Sequence, residues 1–169
     1  GIALVIAGII LAAFTSYYAA VFIFLGFIDS AIIYNALLKK RSPMNILYGS
    51  PAGGMPVLAG WIAVSNTRLN LIAILMFLLV IIWTPMHIWS LAYFYSDDYK
   101  KAGVPMLTSI WSPRRAFLLI GGLNILLVFL SVFIGALFKL SMLYVIISAA
   151  LGAVVLALSI ILIINNKKR

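Results

Sequence analysis

The residues that could do chemistry are concentrated in positions 83–107, which hold two of the three acidic residues and the single histidine of the sequence. Asp97 and Asp98 are adjacent carboxylates, and Mg2+ is commonly bound by one or two carboxylates together with the oxygens of a substrate phosphate. Lys100 and Lys101 follow closely and could bind that phosphate. The stretch therefore predicts a Mg2+ site for a phosphorylated substrate, with the two aspartates as metal ligands and as catalytic residues.

His87 lies 11 residues before Asp98, in a stretch that predicts the end of an apolar helix followed by a short polar loop. On an uninterrupted helix this spacing is about 16 Å along the axis and turns the two side chains toward nearly the same face. An ionisable group inside a membrane is costly and usually has a partner or a function. His87 therefore indicates either a hydrogen bond within a helix bundle or contact with a polar or metal-bearing substrate.

Asp29, the third acidic residue, lies in the middle of an apolar segment. The same cost predicts that its side chain faces the interior of a bundle, where Tyr34, Asn35 or a hydroxyl of another helix could be its partner. A structural and a functional role are equally compatible with this position. The aromatic residues near the aspartate pair are expected to form a cavity wall or an interfacial belt, and they are Trp83, Trp89, Tyr93, Phe94, Tyr95 and Tyr99.

The elements that position these residues must be membrane helices. The sequence is 66% hydrophobic and 9% charged, and its mean hydropathy is +1.23, which is far outside the range of soluble domains. Its formal net charge of +9 would suit a nucleic-acid partner, but the basic residues lie in short clusters between apolar segments, so membrane topology explains them better. We therefore expect membrane lipid and no nucleic acid among the partners. The absence of cysteine excludes disulfides and thiolate metal sites.

Hydropathy predicts an all-α, polytopic transmembrane helix bundle with about six segments. The first predicted segment has about 14 residues, fewer than the roughly 20 that cross a bilayer, so we expect it to be the tail of a longer helix. The third contains the sequence GSPAGGMP, whose small residues allow close packing inside a bundle. The predicted segments are residues 1–14, 18–38, 46–64, 70–95, 115–138 and 142–164.

Alternation of these segments places the basic residues very unequally. Only Arg68 and Lys139 fall on one side. By the positive-inside rule the richer side is cytoplasmic, which predicts a multi-pass protein of a prokaryotic plasma membrane with the Asp97/Asp98 loop in the cytoplasm. The residues of that side are Lys39, Lys40, Arg41, Lys100, Lys101, Arg114, Arg115, Lys167, Lys168 and Arg169.

Three blocks of sequence together resemble the heme O synthase family, the protoheme IX farnesyltransferases of the UbiA superfamily of intramembrane prenyltransferases. The order and spacing of the blocks match as well as their motifs, which makes the resemblance more specific than a lone aspartate pair. The blocks are LLKKRSPMNILYGSPAGGMPVLAGW at 37–61, WTPMHIWSLAYF at 83–94 and SDDYKKAGVPML at 96–107.

The resemblance implies a nine-helix bundle around a cavity that opens to lipid, with two Asp-rich motifs that hold Mg2+ and farnesyl diphosphate. Asp97 and Asp98 match the second motif, and Lys100 and Lys101 follow it. Residues of the KKRSPMN block and of the TPMHIW block match other parts of the site. Lys40, Arg41 and Asn45 are implied to contact the diphosphate, and His87 is implied to bind the porphyrin or its iron.

The implied reaction transfers a farnesyl group from farnesyl diphosphate to a vinyl group of heme b and adds water, which gives heme O for terminal oxidases. Heme b is then a substrate, and Mg2+ is the cofactor. A heme A synthase is the implied protein partner. The family's first Asp-rich motif, NxxxDxxxD, is not in the sequence, so we expect residues 1–169 to be one transmembrane prenyltransferase domain that is incomplete at both ends and inactive alone.

Two alternatives remain open at this point. Another prenyltransferase of the same superfamily could act on a quinone or other aromatic precursor, although the TPMHIW and SDDYKKAGVPML blocks favour heme. A small ion- or proton-coupled transporter could instead use Asp29, Asp97 and His87 as a relay. The grouping of acids and bases on one membrane face is less typical of such a transporter.

Overall fold

The protein is all-helical in the computed structural model, which describes residues 1–65 and 68–165. The long helices run up and down, and each packs against the next along the chain. The second helix changes at its end from α to π geometry, over Asp29–Leu38. The α-helices are α1 Ile2–Thr15, α2 Tyr17–Ile28, α3 Asn45–Ser65, α4 Leu71–Phe94, α5 Ser96–Lys101, α6 Leu107–Ile110, α7 Pro113–Leu137 and α8 Met142–Asn165.

Six long segments confirm the predicted pattern, and four of them are long and apolar enough to cross a membrane. These four are Tyr17–Leu38, α4, α7 and α8. Helix α1 is shorter, at 14 residues, while α3 has 21 residues but carries glycine and proline in place of larger apolar side chains. The fold is therefore a polytopic membrane bundle.

Helix α3 tolerates two prolines in its interior. Pro51 has no N–H group, so the Leu47 carbonyl lacks its usual helical partner, and the Ser50 hydroxyl donates to that carbonyl at 2.8 Å. The glycines permit close packing, because a Cβ atom on Gly54 would lie 2.6 Å from the ring of Phe77 in α4. Sequence composition thus explains how α3 packs closely between α2 and α4.

Asp29 begins the π-helix and is 6% exposed. Its Oδ2 atom accepts a hydrogen bond from the backbone N–H of Ala52 in α3, at 2.8 Å. The expectation that Asp29 faces the interior is confirmed, whereas the expected partners, Tyr34, Asn35 or a hydroxyl, are wrong. Asn35 instead donates to the Ser30 carbonyl at 2.8 Å, and the Asp29 carboxylate joins two helices.

The aspartate pair lies in a helix, so the predicted polar loop is wrong. Helix α4 ends at Phe94, Tyr95 interrupts it with φ −100° and ψ 24°, and α5 then carries both aspartates in its first turn. Acids in the first turn and lysines in the last turn both stabilise a helix through its dipole. Because of the interruption, the uninterrupted helix assumed for the spacing of His87 and Asp98 is also wrong.

A left-handed residue ends α5. Gly103 has φ +66°, its N–H donates to the Lys100 carbonyl at 3.1 Å, and the Val104 N–H donates to the Tyr99 carbonyl at 3.0 Å. This pair of bonds is the Schellman motif, which favours glycine at that position. Pro105 follows and prevents the helix from continuing.

The main hydrophobic core lies beside this short helix. Fully buried Trp89 of α4 packs in one cluster with Met106 and Leu107 from the turn after α5. Ile46 at the start of α3 and Phe117 at the start of α7 complete the contact between elements that are distant in sequence. The core therefore gathers the end of α4, the beginnings of α3 and α7, and the α5–α6 region at one end of the bundle.

Candidate active site

The Asp97 and Asp98 carboxylates are exposed on α5. The Lys100 Nζ atom is 3.9 Å from Asp97 Oδ1, and these side chains are 58% and 85% exposed, so the pair contributes little. Within the described residues the Asp98 side chain has neither an ion pair nor a hydrogen bond. The two carboxylates are therefore available to a cation and are not neutralised by the neighbouring lysines.

These carboxylates fit the way in which proteins bind Mg2+. They offer exposed, hard oxygen donors, and the one ion pair, of Asp97 with Lys100 at 3.9 Å, competes only weakly. Mg2+ commonly takes one or two carboxylates, several waters and substrate phosphate oxygens. Among the described residues no group of three or more histidine, cysteine, aspartate or glutamate side chains could hold a metal. A phosphate-bearing substrate would therefore have to supply part of the coordination if Mg2+ binds here.

Asn45 holds the loop at residues 39–44 in place. Asn45 is fully buried, and its Nδ2 atom donates to the Lys39 carbonyl at 3.1 Å. The Ser42 hydroxyl accepts a hydrogen bond from the Met44 N–H at 3.2 Å. Asn45 is thus a support for the loop in this structure, while Lys40 and Arg41 are exposed on it.

The π-helix, α3, α4 and α5 border one cavity of about 300 Å³. Tyr34 from the π-helix and Tyr99 from α5 both line it, and α4 adds Thr84 and Ile88. Gly49 allows the close approach of Tyr34, since a Cβ atom there would lie 2.9 Å from the tyrosine Cβ. The cavity has apolar walls and hydroxyl groups, and Tyr99 connects it directly to the helix that carries the aspartates.

The basic residues at this end are numerous. Six exposed basic residues belong to elements that meet around the main core. They are Lys40, Arg41, Lys100, Lys101, and Arg114 and Arg115 at the start of α7. Such a concentration of positive charge favours an anionic ligand. Lys167, Lys168 and Arg169, which were assigned to the same side from sequence, lie outside the described residues.

His87 lines a different cavity, of about 220 Å³, between α4, α7 and α8. Its ring stacks on Trp83 with centroids 4.8 Å apart and an interplanar angle of 10°. Asp97, Asp98 and the lysines of α5 do not line this cavity. The structure therefore brings the aspartates, the tyrosines and the basic loop to one region and places His87 in another.

Sequence reasoning missed Asn124, which lines the same cavity as His87. The side chain is 5% exposed, and its Nδ2 atom donates to the Ser159 hydroxyl of α8 at 2.7 Å. An asparagine in the middle of an apolar membrane segment is costly and marks an interior position. That rule, which was applied to Asp29 and His87, would have found Asn124 as well.

A model of the UbiA prenyltransferase family matches residues 1–169. The chain belongs to the UbiA prenyltransferase family. The resemblance noted from sequence is thereby confirmed, and a multi-pass membrane protein is what both the family and the apolar helices indicate. No solved structure matches the chain significantly.

Several relatives of this UbiA chain are named protoheme IX farnesyltransferase. The protein of Thermoplasma acidophilum is 41% identical over 155 residues, which cover 91% of this chain and 53% of the relative. The protein of Picrophilus torridus is 46% identical over 123 residues, covering 73% and 41%, and that of Desulforudis audaxviator is 38% identical over 144 residues, covering 85% and 45%. The chain spans about half the length of the curated relatives it matches.

Proposed function

We propose that this UbiA protein transfers a farnesyl group from farnesyl diphosphate to a vinyl group of heme b and that water addition completes the product, heme O. The similarity to protoheme IX farnesyltransferases over most of the chain carries the proposal. The cavity between Tyr34 and Tyr99 supports it, because Tyr99 belongs to the helix that carries the exposed Asp97 and Asp98 carboxylates. Family membership favours this hypothesis over the transporter, and Asp29, engaged by Ala52, has a structural role that needs no relay.

The diphosphate end of the donor is bound at the α5 end of the bundle in this proposal. Asp97 and Asp98 would hold Mg2+, which when bound neutralises charge that develops on the leaving diphosphate. Lys100 and Lys101 of α5 follow the aspartates and are exposed, so they are suited to bind phosphate oxygens. No step in the chemistry requires these lysines to transfer a proton.

The loop after the π-helix supplies the remaining charge. Lys40 and Arg41, which are exposed on this loop, bind the diphosphate as well, and fixed positive groups near a leaving anion lower the barrier to its departure. Asn45 acts through the loop, because its amide holds the Lys39 carbonyl. The apolar walls of the neighbouring cavity exclude water from the farnesyl cation, which water would otherwise capture.

The acceptor is bound on the other side of α4. His87 lines the cavity between α4, α7 and α8 and stacks on Trp83, and in this proposal the histidine contacts the porphyrin. The experiment is a titration of membranes containing the protein with heme b, followed by its Soret band, and with farnesyl diphosphate. The His87→Ala variant should weaken heme binding about tenfold or more, the cost of about one lost polar contact, while diphosphate affinity stays near wild type.

Product analysis separates this function from its nearest rival. Membranes given Mg2+, farnesyl diphosphate and heme b should form a farnesylated porphyrin, and a quinone precursor in place of heme b should remain unmodified. Prenylation of the aromatic precursor alone would favour the quinone alternative. A heme A synthase, as an enzyme that consumes heme O, is the protein partner that this proposal implies.

The α5 end is proposed to face the cytoplasm of a prokaryotic cell. The described residues place seven basic side chains at that end, while Arg68 and Lys139 lie at the other, and the positive-inside rule assigns the richer end to the cytoplasm. Because the chain has no cysteine, a single cysteine at Ser42 or Ser96 can be labelled cleanly. An impermeant reagent should label it only after the cells are opened; labelling in intact cells would reverse the orientation.

A further inference from the structure

A larger cavity, of about 490 Å³, lies between α3 and α4 and has no part in the proposed function. Gly60 and Val64 of α3 and Met76 of α4 are among the residues that line this α3–α4 cavity. Among the described lining residues, Ser65 is the only one with a hydroxyl group and none is charged. The cavity is therefore suited to hydrocarbon and not to a diphosphate or a metal ion.

The α3–α4 cavity lies on the same face of α3 as the cavity between Tyr34 and Tyr99, which we call the tyrosine cavity. Gly49 lines the tyrosine cavity, and Pro56 and Gly60 line the α3–α4 cavity. At about 100° per residue, Pro56 and Gly60 point within about 20° of the direction of Gly49. The two cavities are therefore sections of one groove along α3.

Helix α4 forms the other wall of this groove. Met76 lines the α3–α4 cavity, while Thr84 and Ile88 line the tyrosine cavity. Val80 lies between Met76 and Thr84, and the repeated spacing of four residues places these side chains in one row on the helix. From Met76 to Ile88 the row is about 18 Å long at about 1.5 Å per residue. The groove is open where Gly60 is exposed, so a lipophilic chain can reach it from the bilayer.

A constriction separates the two cavities where α3 and α4 approach each other. A Cβ atom on Gly53 would lie 3.4 Å from Thr84 Oγ1 and 3.8 Å from Val80 Cγ1. The space above Gly53 thus holds one methyl group at ordinary contact distance. The Thr84 hydroxyl donates to the Val80 carbonyl at 2.8 Å, so its proton is already bonded and the constriction offers no free donor to a passing chain.

The position of the constriction matches the length of the proposed donor. Phe94, the last residue of α4, is 10 residues after Thr84, which is about 15 Å along the axis at about 1.5 Å per residue. Helix α5, which carries the proposed diphosphate site, begins at Ser96. This distance is close to the extended length of three isoprene units, the number in a farnesyl group. A fourth unit would have to pass Thr84 and enter the α3–α4 cavity.

We propose that Thr84 and Val80, facing Gly53, set the length of the isoprenoid chain that the protein accepts. The farnesyl chain lies in the tyrosine cavity and ends at Thr84, and a longer chain reaches the α3–α4 cavity only when the constriction is widened. The inference rests on the proposed function, because it concerns the donor of that reaction. It gives Thr84 a role in specificity that neither the aspartate pair nor His87 supplies.

The experiment compares the affinities for farnesyl diphosphate and for geranylgeranyl diphosphate, which has one isoprene unit more. Each competes with radiolabelled farnesyl diphosphate in membranes that contain the protein and Mg2+, and no acceptor is added. Partition of the longer donor into lipid is the same for every variant, so it cancels when variants are compared. Thr84→Ala removes both γ atoms, so the preference for the shorter donor should fall about tenfold, the discrimination that one methylene gives in an apolar pocket.

Matched variants separate size from polarity and locate the extra unit. Thr84→Val keeps the size and removes the hydroxyl, so its preference should equal that of wild type. Adding Gly60→Leu to Thr84→Ala fills the α3–α4 cavity and should restore the preference. Adding Gly122→Leu, at another open position but on α7, should not. Val80→Ala widens the same constriction and serves if Thr84→Ala does not accumulate in the membrane.

The outcomes separate this inference from the proposed function. An unchanged preference in Thr84→Ala, or in Val80→Ala when only that variant accumulates, overturns the role of the constriction. Equal relaxation in Thr84→Val overturns it too, because a hydroxyl and not size would then decide. If Gly60→Leu does not restore the preference, the α3–α4 cavity belongs to membrane lipid, which also contradicts the inference. Wild-type protein that discriminates between the donors but forms no farnesylated porphyrin from heme b overturns the proposed function alone.

Discussion

The two ends of the bundle are built differently. At the α5 end the backbone leaves regular α-helix repeatedly, through the π-helix, the 39–44 loop and two short helices, and it carries both Asp97 and Asp98. At the opposite end, residues 138–141 join α7 directly to α8, and Arg68 and Lys139 are its basic residues. Irregular backbone therefore accompanies the charges that are suited to chemistry.

The same hydrogen-bond motif shows the difference at atomic detail. Gly103 ends α5 with φ +66°, and Lys139 ends α7 with φ +51°. In the second case the Leu140 N–H donates to the Gly135 carbonyl at 2.9 Å and the Lys139 N–H to the Ala136 carbonyl at 3.3 Å. Only the α5 end has the residue that adopts this conformation without strain, so helix α5 is held more firmly than its six residues alone would permit.

The largest expected effect comes from the exposed carboxylates. Asp97→Asn or Asp98→Asn should reduce Mg2+-dependent diphosphate release about 100-fold or more, since each removes a proposed metal ligand. Stability should change by less than about 0.5 kcal/mol, because surface residues contribute little to packing. The measurement is turnover across a Mg2+ titration together with thermal unfolding in detergent. Normal turnover of both variants at limiting Mg2+ would exclude this site.

The long helices could be predicted from sequence because their signal is simple. Apolar runs of membrane-spanning length require helices, since backbone polar groups have no other partners in lipid. The short helix α5 was missed because five polar residues and one tyrosine carry no apolar periodicity. The order of the residues does indicate a short helix, because the acids precede the lysines and Gly103 and Pro105 follow them.

The site was only partly predictable for a related reason. Motifs placed Asp97 and Asp98 in a candidate site, but the pairing of Tyr34 with Tyr99 around one cavity depends on how distant helices pack. The hydrogen-bond partner of Asp29 is a backbone N–H group, and residue types do not predict such a partner. The prediction that His87 and Asp98 lie on one uninterrupted helix was wrong because one residue, Tyr95, interrupts the helix.

A substitution in the middle of the bundle, between its two ends, should lower stability more than turnover. Gly54→Ala places a Cβ atom 2.6 Å from the Phe77 ring and 3.3 Å from the Phe77 carbonyl, so overpacking should destabilise the bundle by about 1–3 kcal/mol. Gly60→Ala on the same helix is the control, since no atom lies within 4 Å of that position. Thermal unfolding in detergent measures both, and equal melting temperatures would contradict the assigned α3–α4 contact.

The Gly103→Ala variant tests how much the turn after α5 stabilises this end of the bundle. At φ +66° an alanine is strained, and the loss should be about 1 kcal/mol. The turn that carries Tyr99 would loosen, so we also expect a higher Mg2+ concentration for half-maximal turnover. Gly122→Ala within α7 is the control, because its position is open and helical. If Gly103→Ala leaves the Mg2+ requirement unchanged, the turn at Gly103 does not contribute to Mg2+ binding.

The smallest expected effect lies at the opposite end, where Lys139 occupies a left-handed position with φ +51°. Lys139→Gly relieves the strain of that backbone, although glycine also gains entropy in the unfolded chain, so the net stabilisation should be about 0.5 kcal/mol. That corresponds to a rise of about 1–2 °C in the melting temperature. Diphosphate release should stay at the wild-type rate, since no carboxylate or cavity residue of the proposed site adjoins this turn. A melting temperature that falls would mean that the Lys139 side chain stabilises the α7–α8 connection by more than its backbone strain costs.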